Sequence, residues 1–387
     1  MSKPLIVGMG HSKFGKLDAL SLEDLIVSVA QEALRDAGLQ GADIDAMWLG
    51  HFNSGMVPDG FASSMIMAAD PGLRFKPATR AENACASGSA AVYSALDAIR
   101  SGRVKAALVV GVEKMTGLDT KGVTKALSGA AYQKEEAGVS FPEIFARFAR
   151  AYGAEFGDPT EAMAHISVKN HANALRNPLA QMQREITLDF ALNPSEKNPL
   201  IADPLKLSDC SLISDGAAAM VIVADDMASQ FKRAVGFRAA QQVNDLLPLS
   251  AKNLPYFEGP ARAIQQAYAE AGVSVKDLSL AEVHDCFTIA ELLSVEALGM
   301  AAPGGGRAVV VNGETQRGGR LPVNLSGGLK AKGHPVGATG VSMHVLIARQ
   351  LLGEAGDLQL PGAELGLCMN MGGGAVSTYA SILERAK

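Results

Sequence analysis

The chain has 387 residues, of which 48% are hydrophobic and 19% charged, and its formal net charge is −5. This composition excludes an intrinsically disordered chain, and the length suffices for two or three domains with large cores. The sequence has neither the Lys and Arg clusters of a nucleic-acid-binding protein nor an apolar run long enough to span a membrane. Its start does not resemble a signal peptide, and its four scattered cysteines suit thiols in a reducing compartment, so we predict a soluble, cytoplasmic protein.

The first part of the chain alternates strand and helix signals. An apolar run at 5–7 precedes an amphipathic helix, which a Ser-x-x-Asp box and a stop glycine bracket at 21–38. A strand over 46–51 follows. A helix of small residues over 85–100 then leads into an apolar strand over 104–112, which is long enough to be covered on both faces. Such alternation predicts parallel sheets.

The second part of the chain repeats this order. The pattern of Ala33–Leu39 returns in Ala267–Val273, 234 positions later. Ala86-Ser-Gly88, which opens one helix, matches Ala338-Thr-Gly340, which opens another, and the strand over 105–112 matches 364–370. We therefore predict two halves of one design that share a core and form a site where they meet.

The halves differ by one insertion. About a hundred residues separate the strand ending at 112 from the strand over 217–224, whereas their counterparts 364–370 and 375–383 are nearly contiguous. We predict an N-terminal half at 1–118 and 206–232, an inserted loop domain at 119–205, and a C-terminal half at 233–387. The insert has helix signals of its own, including an apolar stripe over 141–152 and a cap at 158–161.

Cys85 is a candidate nucleophile. It stands at the predicted start of a helix, where unpaired amides and the helix dipole stabilise a thiolate. The competing interpretation is a small buried thiol, the ordinary role of a lone cysteine in an apolar chain.

His334 is a candidate base for that thiol. It lies in a glycine-rich segment over 324–340, and Pro335 favours an extended conformation for it. An imidazole titrates near neutral pH, as a general base requires. A phosphate-binding loop is the competing interpretation, but the spacing of the glycines does not match the Walker pattern.

Three further residues end predicted strands of the second half. His284 and Cys286 follow one strand, and Cys368 ends another before a run of glycines. Side chains at the carboxyl ends of parallel strands commonly face a site, although each of these alone would also suit a core. A zinc site of these three residues matches no known ligand spacing, so we predict no metal.

Five motifs, taken together, resemble those of the thiolase superfamily, and among its members the sterol carrier protein type and bacterial acetyl-CoA acetyltransferases. The motifs are Ala84-Cys-Ala-Ser-Gly88, Val110-Gly-Val-Glu-Lys-Met115, Ser214-Asp-Gly-Ala-Ala218, His284-Asp-Cys-Phe287 and Lys332-Gly-His-Pro335. They occur in family order over nearly the whole chain. The resemblance implies an α/β fold of duplicated βαβαβαββ halves in a five-layered αβαβα arrangement with an inserted loop domain.

The resemblance also implies residue roles. Cys85 would take the acyl group, while His334 would accept its proton and help to hold the thioester oxygen. His284 would hold the enolate oxygen of the second thioester. The backbone amides of Cys85 and Asn370 would form the other oxyanion hole, although Asn370 replaces the glycine of the family's Cys-x-Gly motif.

The second acid/base is open between two thiols. Common thiolases use the cysteine that matches Cys368, and some sterol carrier type enzymes use the one that matches Cys286. This chain has both. We favour Cys368, because the duplication places its strand end opposite the nucleophile helix.

By resemblance the chain is an acyltransferase of lipid or fatty acid metabolism. It would cleave 3-ketoacyl-CoA with CoA, or condense acyl-CoAs, through an acyl-cysteine. Coenzyme A and acyl-CoA would be substrates, with no permanently bound cofactor. A homodimer or homotetramer is expected, and an accessory protein partner is conceivable. The alternatives are a decarboxylating ketoacyl synthase that uses Cys85, His284 and His334, and an acyl-CoA binding subunit of a partnered complex.

Overall fold

The computed structural model describes residues 2–387. The strands are β1 (Pro4–His11), β2 (Ala46–Gly50), β3 (Ala78–Ala81), β4 (Ala106–Glu113), β5 (Leu200–Ala202), β6 (Leu205–Lys206), β7 (Gly216–Ala224), β8 (Val235–Asn244), β9 (Leu280–Val283), β10 (Leu365–Gly372) and β11 (Ser377–Arg385). The helices are α1 (Leu22–Ala37), α2 (Ser87–Arg100), α3 (Thr120–Ser128), α4 (Gln133–Glu136), α5 (Phe141–Phe156), α6 (Thr160–Ala174), α7 (Leu188–Leu192), α8 (Glu258–Ala271), α9 (Thr288–Ala297), α10 (Gly306–Val311) and α11 (Val336–Leu352).

The strand order confirms the duplication that the sequence predicts. The first half pairs its strands as β3-β2-β4-β7-β1, and the second continues as β8-β11-β10-β9. Read from β9 inward, the second half repeats the first except that the counterpart of β3 is reduced to one parallel bridge, Ala281 to Val323. Only two residue pairs, Leu5 with Gly236 and Ile6 with Val235, join the halves through β1 and β8.

The helices form layers on both sides of these sheets. α1 packs on the first half, α8 packs on the second, and α2 and α11 lie between them against strands of both. The predicted five-layered αβαβα arrangement is therefore confirmed. The matched glycines of the two helix-opening motifs explain how the middle layer fits: a Cβ on Gly88 would lie 2.7 Å from the carbonyl oxygen of Gly337, and one on Gly340 would lie 2.4 Å from the amide of Ser89.

The segment between β4 and β7 contains α3 to α7 and the hairpin of β5 and β6. The apolar stripe predicted for α5 is buried, and its Phe145 ring stacks on Phe287 with centroids 4.7 Å apart. The insert thereby contacts the segment that follows β9. The bounds of the three domains stay a prediction.

In residues 2–387 no helix is both long and apolar enough to cross a membrane. All four cysteines are free thiols.

Candidate active site

Cys85 lies in a tight turn that precedes α2. Ala84 has a left-handed backbone with φ of 50°, a conformation that costs energy for a residue with a Cβ. Ser87 stabilises the turn: its hydroxyl accepts from the amide of Asn83 at 3.0 Å and donates to the carbonyl of Ala84 at 2.6 Å. The turn leaves Cys85 partly exposed while its neighbours are packed into the middle layer.

The end of β10 lies directly against this turn. A Cβ on Gly372 would lie 2.2 Å from the carbonyl oxygen of Asn83, so only glycine permits the approach. The backbone N–H groups of Gly373 and of Cys85 itself act to lower the pKa of the Cys85 thiol, although burial and Glu113 raise it by more. Asn370, whose amide the resemblance assigns to an oxyanion hole, lies within β10 opposite Tyr379, and that role of its amide stays a prediction.

His334 stands just before α11 with its ring held in one orientation. Its amide donates to the Ser214 hydroxyl at 3.0 Å, and its Nδ1 lies 2.7 Å from the Thr339 hydroxyl. That hydroxyl donates to the carbonyl of Pro335, so it accepts from Nδ1. The proton is therefore on Nδ1, and Nε2 keeps a lone pair. Among residues 2–387 this buried Nε2 has no hydrogen-bond partner.

The two halves bring Cys85, His284 and His334 together. The sulfur and one nitrogen of each imidazole all lie within 4.8 Å of one another. The two rings meet edge to face with centroids 5.0 Å apart. Cys85 comes from the first half and the histidines from the second, so the structure brings these candidate residues together where the halves meet.

The protonation states of this trio differ from the sequence expectation. Burial, and after it the charge of Glu113, raises the pKa of Cys85 to about 12. Burial, followed by the charge of Lys332, lowers the pKa of His334 to about 3. Burial also lowers the pKa of His284, with His334 as the second cause. These shifts favour a neutral Cys85 thiol in the free protein, because α2 begins only at Ser87 and desolvation opposes the effect of the helix dipole.

These pKa shifts predict how Cys85 titrates. A thiol pKa near 12 and an imidazole pKa near 3 leave both groups neutral between about pH 5 and pH 10. We expect the ultraviolet absorbance of wild type minus Cys85→Ser to show no thiolate in this range, and the thiolate to appear only as the pH approaches the raised pKa. A thiolate signal from Cys85 at neutral pH would indicate a thiolate–imidazolium pair and contradict this prediction.

Acidic side chains that the sequence analysis missed hold the loops of the site. Asp285 accepts from the amides of Leu329 and Lys330 at 2.6 and 3.2 Å and from Asn170 of α6 at 2.8 Å, so it ties the His284 segment to the insert and to the segment before His334. Glu113 accepts the amide of Gly337 at 3.0 Å. The sequence does carry a signal for this role, because each carboxylate lies at the end of an apolar strand. A charge buried there needs several hydrogen-bond donors, which neighbouring loops can supply.

Cys286 and Cys368 occupy different surroundings. Burial and then the charge of Cys85 raise the pKa of Cys286, which lies two residues after His284 of the cluster. Cys368 is fully buried in β10 with its sulfur 3.7 Å from Nδ1 of His344. Burial and then the charge of Glu282, not Cys85, raise its pKa. This geometry does not support the preference for Cys368. The zinc trio considered from the sequence is likewise not the group that the structure assembles.

A thiol near an unpartnered imidazole nitrogen, with two backbone amides close to it, is an arrangement typical of cysteine-dependent acyltransferases. Comparison with known proteins identifies the family. The model of the thiolase N-terminal domain matches residues 5–226, and that of the thiolase C-terminal domain matches residues 241–385. The chain belongs to the thiolase family, whose members are acyltransferases with coenzyme A thioesters as substrates.

Similar proteins span the whole chain. An acetyl-CoA acetyltransferase of Methanothermobacter thermautotrophicus is 39% identical over 98% of this chain and 99% of its own length. Human sterol carrier protein 2 is 30% identical over 97% of this chain and 71% of its own. Among solved structures, an Ltp2-ChsH2(DUF35) aldolase has a TM-score of 0.85 at 25% identity and covers 99% of this chain and 98% of its own. The sequence resemblance to sterol carrier type thiolases and acetyl-CoA acetyltransferases is thus confirmed.

Proposed function

We propose that this protein is a thiolase that cleaves 3-ketoacyl-CoA with CoA, or condenses acyl-CoAs in reverse, through an acyl group on Cys85. The observation that carries the proposal is the unpartnered Nε2 of His334, on a ring that has one nitrogen within 4.8 Å of the Cys85 sulfur. A neutral thiol needs a base only while it attacks, and a buried neutral imidazole meets that need.

The first half-reaction of cleavage uses the trio and the two amides. The Cys85 thiol passes its proton to Nε2 of His334 as its sulfur bonds to the keto carbon. The N–H groups of Cys85 and Gly373, which act to lower the pKa of the Cys85 thiol, are the candidates for an oxyanion hole that holds the resulting alkoxide. The carbon–carbon bond then breaks, the acyl group stays on Cys85, and the departing enolate of acetyl-CoA bears its negative charge on the oxygen that His284 would hold.

Cys286 balances the protons in this scheme. Its thiol protonates the enolate carbon and becomes a thiolate, and acetyl-CoA leaves. The thiolate then takes the proton of the entering CoA thiol, and the CoA sulfur attacks the acyl group on Cys85. The released Cys85 sulfur recovers its proton from His334. Burial beside Cys85 supports this role, because a thiol of raised pKa forms a strong base for a weakly acidic C–H.

Steady-state and quenched-flow assays test the proposal. With acetoacetyl-CoA and longer 3-ketoacyl-CoA substrates plus free CoA, we expect acetyl-CoA to form with ping-pong kinetics. Acid quenching before CoA is added should leave an acyl group on the peptide that contains Cys85, which mass spectrometry detects. Binding without cleavage of any of these substrates would contradict the proposal and favour an acyl-CoA binding subunit.

The same trio favours one alternative activity. A decarboxylating ketoacyl synthase needs one cysteine and two histidines, which are the residues of the cluster. Such an enzyme needs no second thiol, since loss of carbon dioxide generates the enolate. Malonyl-CoA distinguishes the two activities: a Cys286→Ala variant that still condenses malonyl-CoA with its acyl-Cys85 would support the synthase.

Assembly, location and metabolic role are also part of the proposal. The likeness to an aldolase whose title includes a DUF35 partner supports tests with an accessory protein. A homodimer or homotetramer, a cytoplasmic location and a role in lipid metabolism stay predictions. Size-exclusion chromatography with light scattering measures the oligomeric state directly.

A further inference from the structure

Asn370 makes three side-chain contacts at the centre of the site. Its Nδ2 lies 2.8 Å from Nδ1 of His284 and 3.3 Å from the carbonyl oxygen of Cys85. Its Oδ1 accepts the Ser89 hydroxyl at 2.8 Å. The side chain is fully buried and bridges β10, the nucleophile turn and the segment after β9.

These contacts decide which way the amide points. A backbone carbonyl only accepts hydrogen bonds, so the atom of Asn370 that faces Cys85 must be the nitrogen. The same nitrogen faces Nδ1 of His284, and an amide nitrogen only donates. Nδ1 therefore accepts, and the neutral imidazole of His284 carries its proton on Nε2.

We propose that Asn370 is a positioning residue that fixes this tautomer, so that His284 offers an N–H and not a lone pair. The catalytic consequence of this tautomer rests on the proposed thiolase function, whereas the tautomer itself follows from the contacts of Asn370 alone. An N–H stabilises the developing negative charge on an enolate oxygen, whereas a lone pair would repel it.

Opposite tautomers then divide the work between the two histidines. Thr339 leaves His334 a lone pair on Nε2 for the Cys85 proton, and Asn370 leaves His284 a proton on Nε2 for an oxygen.

Nitrogen NMR of protein labelled with ¹⁵N-histidine tests the tautomer without any substrate. The His284 resonances are identified by their loss in His284→Gln. We expect a protonated, pyrrole-like shift for Nε2 and an unprotonated shift for Nδ1 in the wild type. The reverse pattern would overturn the proposal whether or not the protein is a thiolase. If the chemical shifts are as expected but the protein has no thiolase activity, the assigned tautomer stands and the proposed function is rejected.

Two substitutions test whether Asn370 causes the tautomer. Asn370→Asp offers a carboxylate, which accepts from Nδ1 and so moves the proton from Nε2. Asn370→Leu removes the donor without adding charge and should leave a mixture. Asn244→Asp is the matched control, because its exposed amide already accepts from Ser377 through its oxygen. An unchanged His284 spectrum in folded Asn370→Asp would overturn the assignment, and the wild-type measurement stands if that variant fails to fold.

Half-reactions separate positioning from a general structural role. We expect Asn370→Asp, which moves the proton from Nε2, to slow deuterium exchange at the α-carbon of acetyl-CoA, which needs the enolate, by about 10²-fold, the cost of one oxyanion donor. Asn370→Leu, which leaves a mixture of tautomers, should slow this exchange less. Transfer of the acetyl group from acetyl-CoA to Cys85 should change little, because it uses the amides of Cys85 and Gly373. Equal losses in both half-reactions would indicate a collapsed site and contradict a positioning role.

Discussion

A Cys85→Ala variant loses turnover of 3-ketoacyl-CoA and CoA by at least about 10⁴-fold, the scale on which removal of a covalent nucleophile acts. The reason is that no other thiol pairs with an imidazole whose nitrogen is free. His334 keeps its tautomer through Thr339, so the base survives without anything to deprotonate. Spectrophotometric loss of the 3-ketoacyl-CoA enolate with CoA present measures the effect, and mass spectrometry should find no acylated peptide.

Cys210→Ala provides the matched control for this variant. Cys210 is also a free, partly exposed thiol whose pKa burial raises to about 12, but its sulfur contacts the carbonyl of Lys206 and lies outside the cluster. We expect near wild-type turnover from it. Unfolding by denaturant should show that both variants fold, since each replaces a small side chain. Wild-type turnover by Cys85→Ala would reject the acyl-cysteine mechanism.

The topology could be predicted because it is repeated in the sequence. Two helix–glycine–strand patterns at one offset required two halves, and the matched Ala-Ser-Gly and Ala-Thr-Gly motifs marked the helices that meet in the middle layer. The single bridge at Val323 could not be foreseen, because a strand reduced to one residue pair has no periodicity of its own.

The sequence could not predict which residue of β10 reaches the active site. Cys368 and Asn370 are two residues apart, so both side chains point to the same face of the sheet, and alternation cannot say which of them reaches the site. The answer depends on where the strand meets the nucleophile turn. Gly372 makes that contact, which places Asn370 beside His284 and leaves Cys368 deeper, against His344.

The ionisation of Cys85 depended on packing that the sequence does not show. A helix start favours a thiolate, and this argument is sound for an exposed cysteine. Here desolvation acts more strongly, and Glu113 adds a negative charge because the same carboxylate holds the start of α11. Burial, with Glu113 as the second cause, therefore favours the neutral thiol until His334 accepts its proton during the attack.

Replacement of each remaining candidate thiol should separate their roles. We expect Cys286→Ala to slow α-proton exchange of acetyl-CoA by about 10²-fold or more, as for loss of a general acid–base group. Cys85 should still be acetylated in this variant. The Cys368 sulfur, which lies 3.7 Å from Nδ1 of His344, is not expected to replace it.

Cys368→Ala, the matched substitution in β10, should retain exchange and turnover. Its cost is one of packing, about 1 kcal/mol in the free energy of unfolding for a small cavity beside His344. Denaturant unfolding measures that cost, and proton NMR of acetyl-CoA in deuterium oxide measures exchange. The opposite result, with exchange lost in Cys368→Ala and kept in Cys286→Ala, would return the second acid/base to Cys368. It would also require β10 to shift by two residues toward the nucleophile turn, which the contact of Gly372 with Asn83 forbids in this fold.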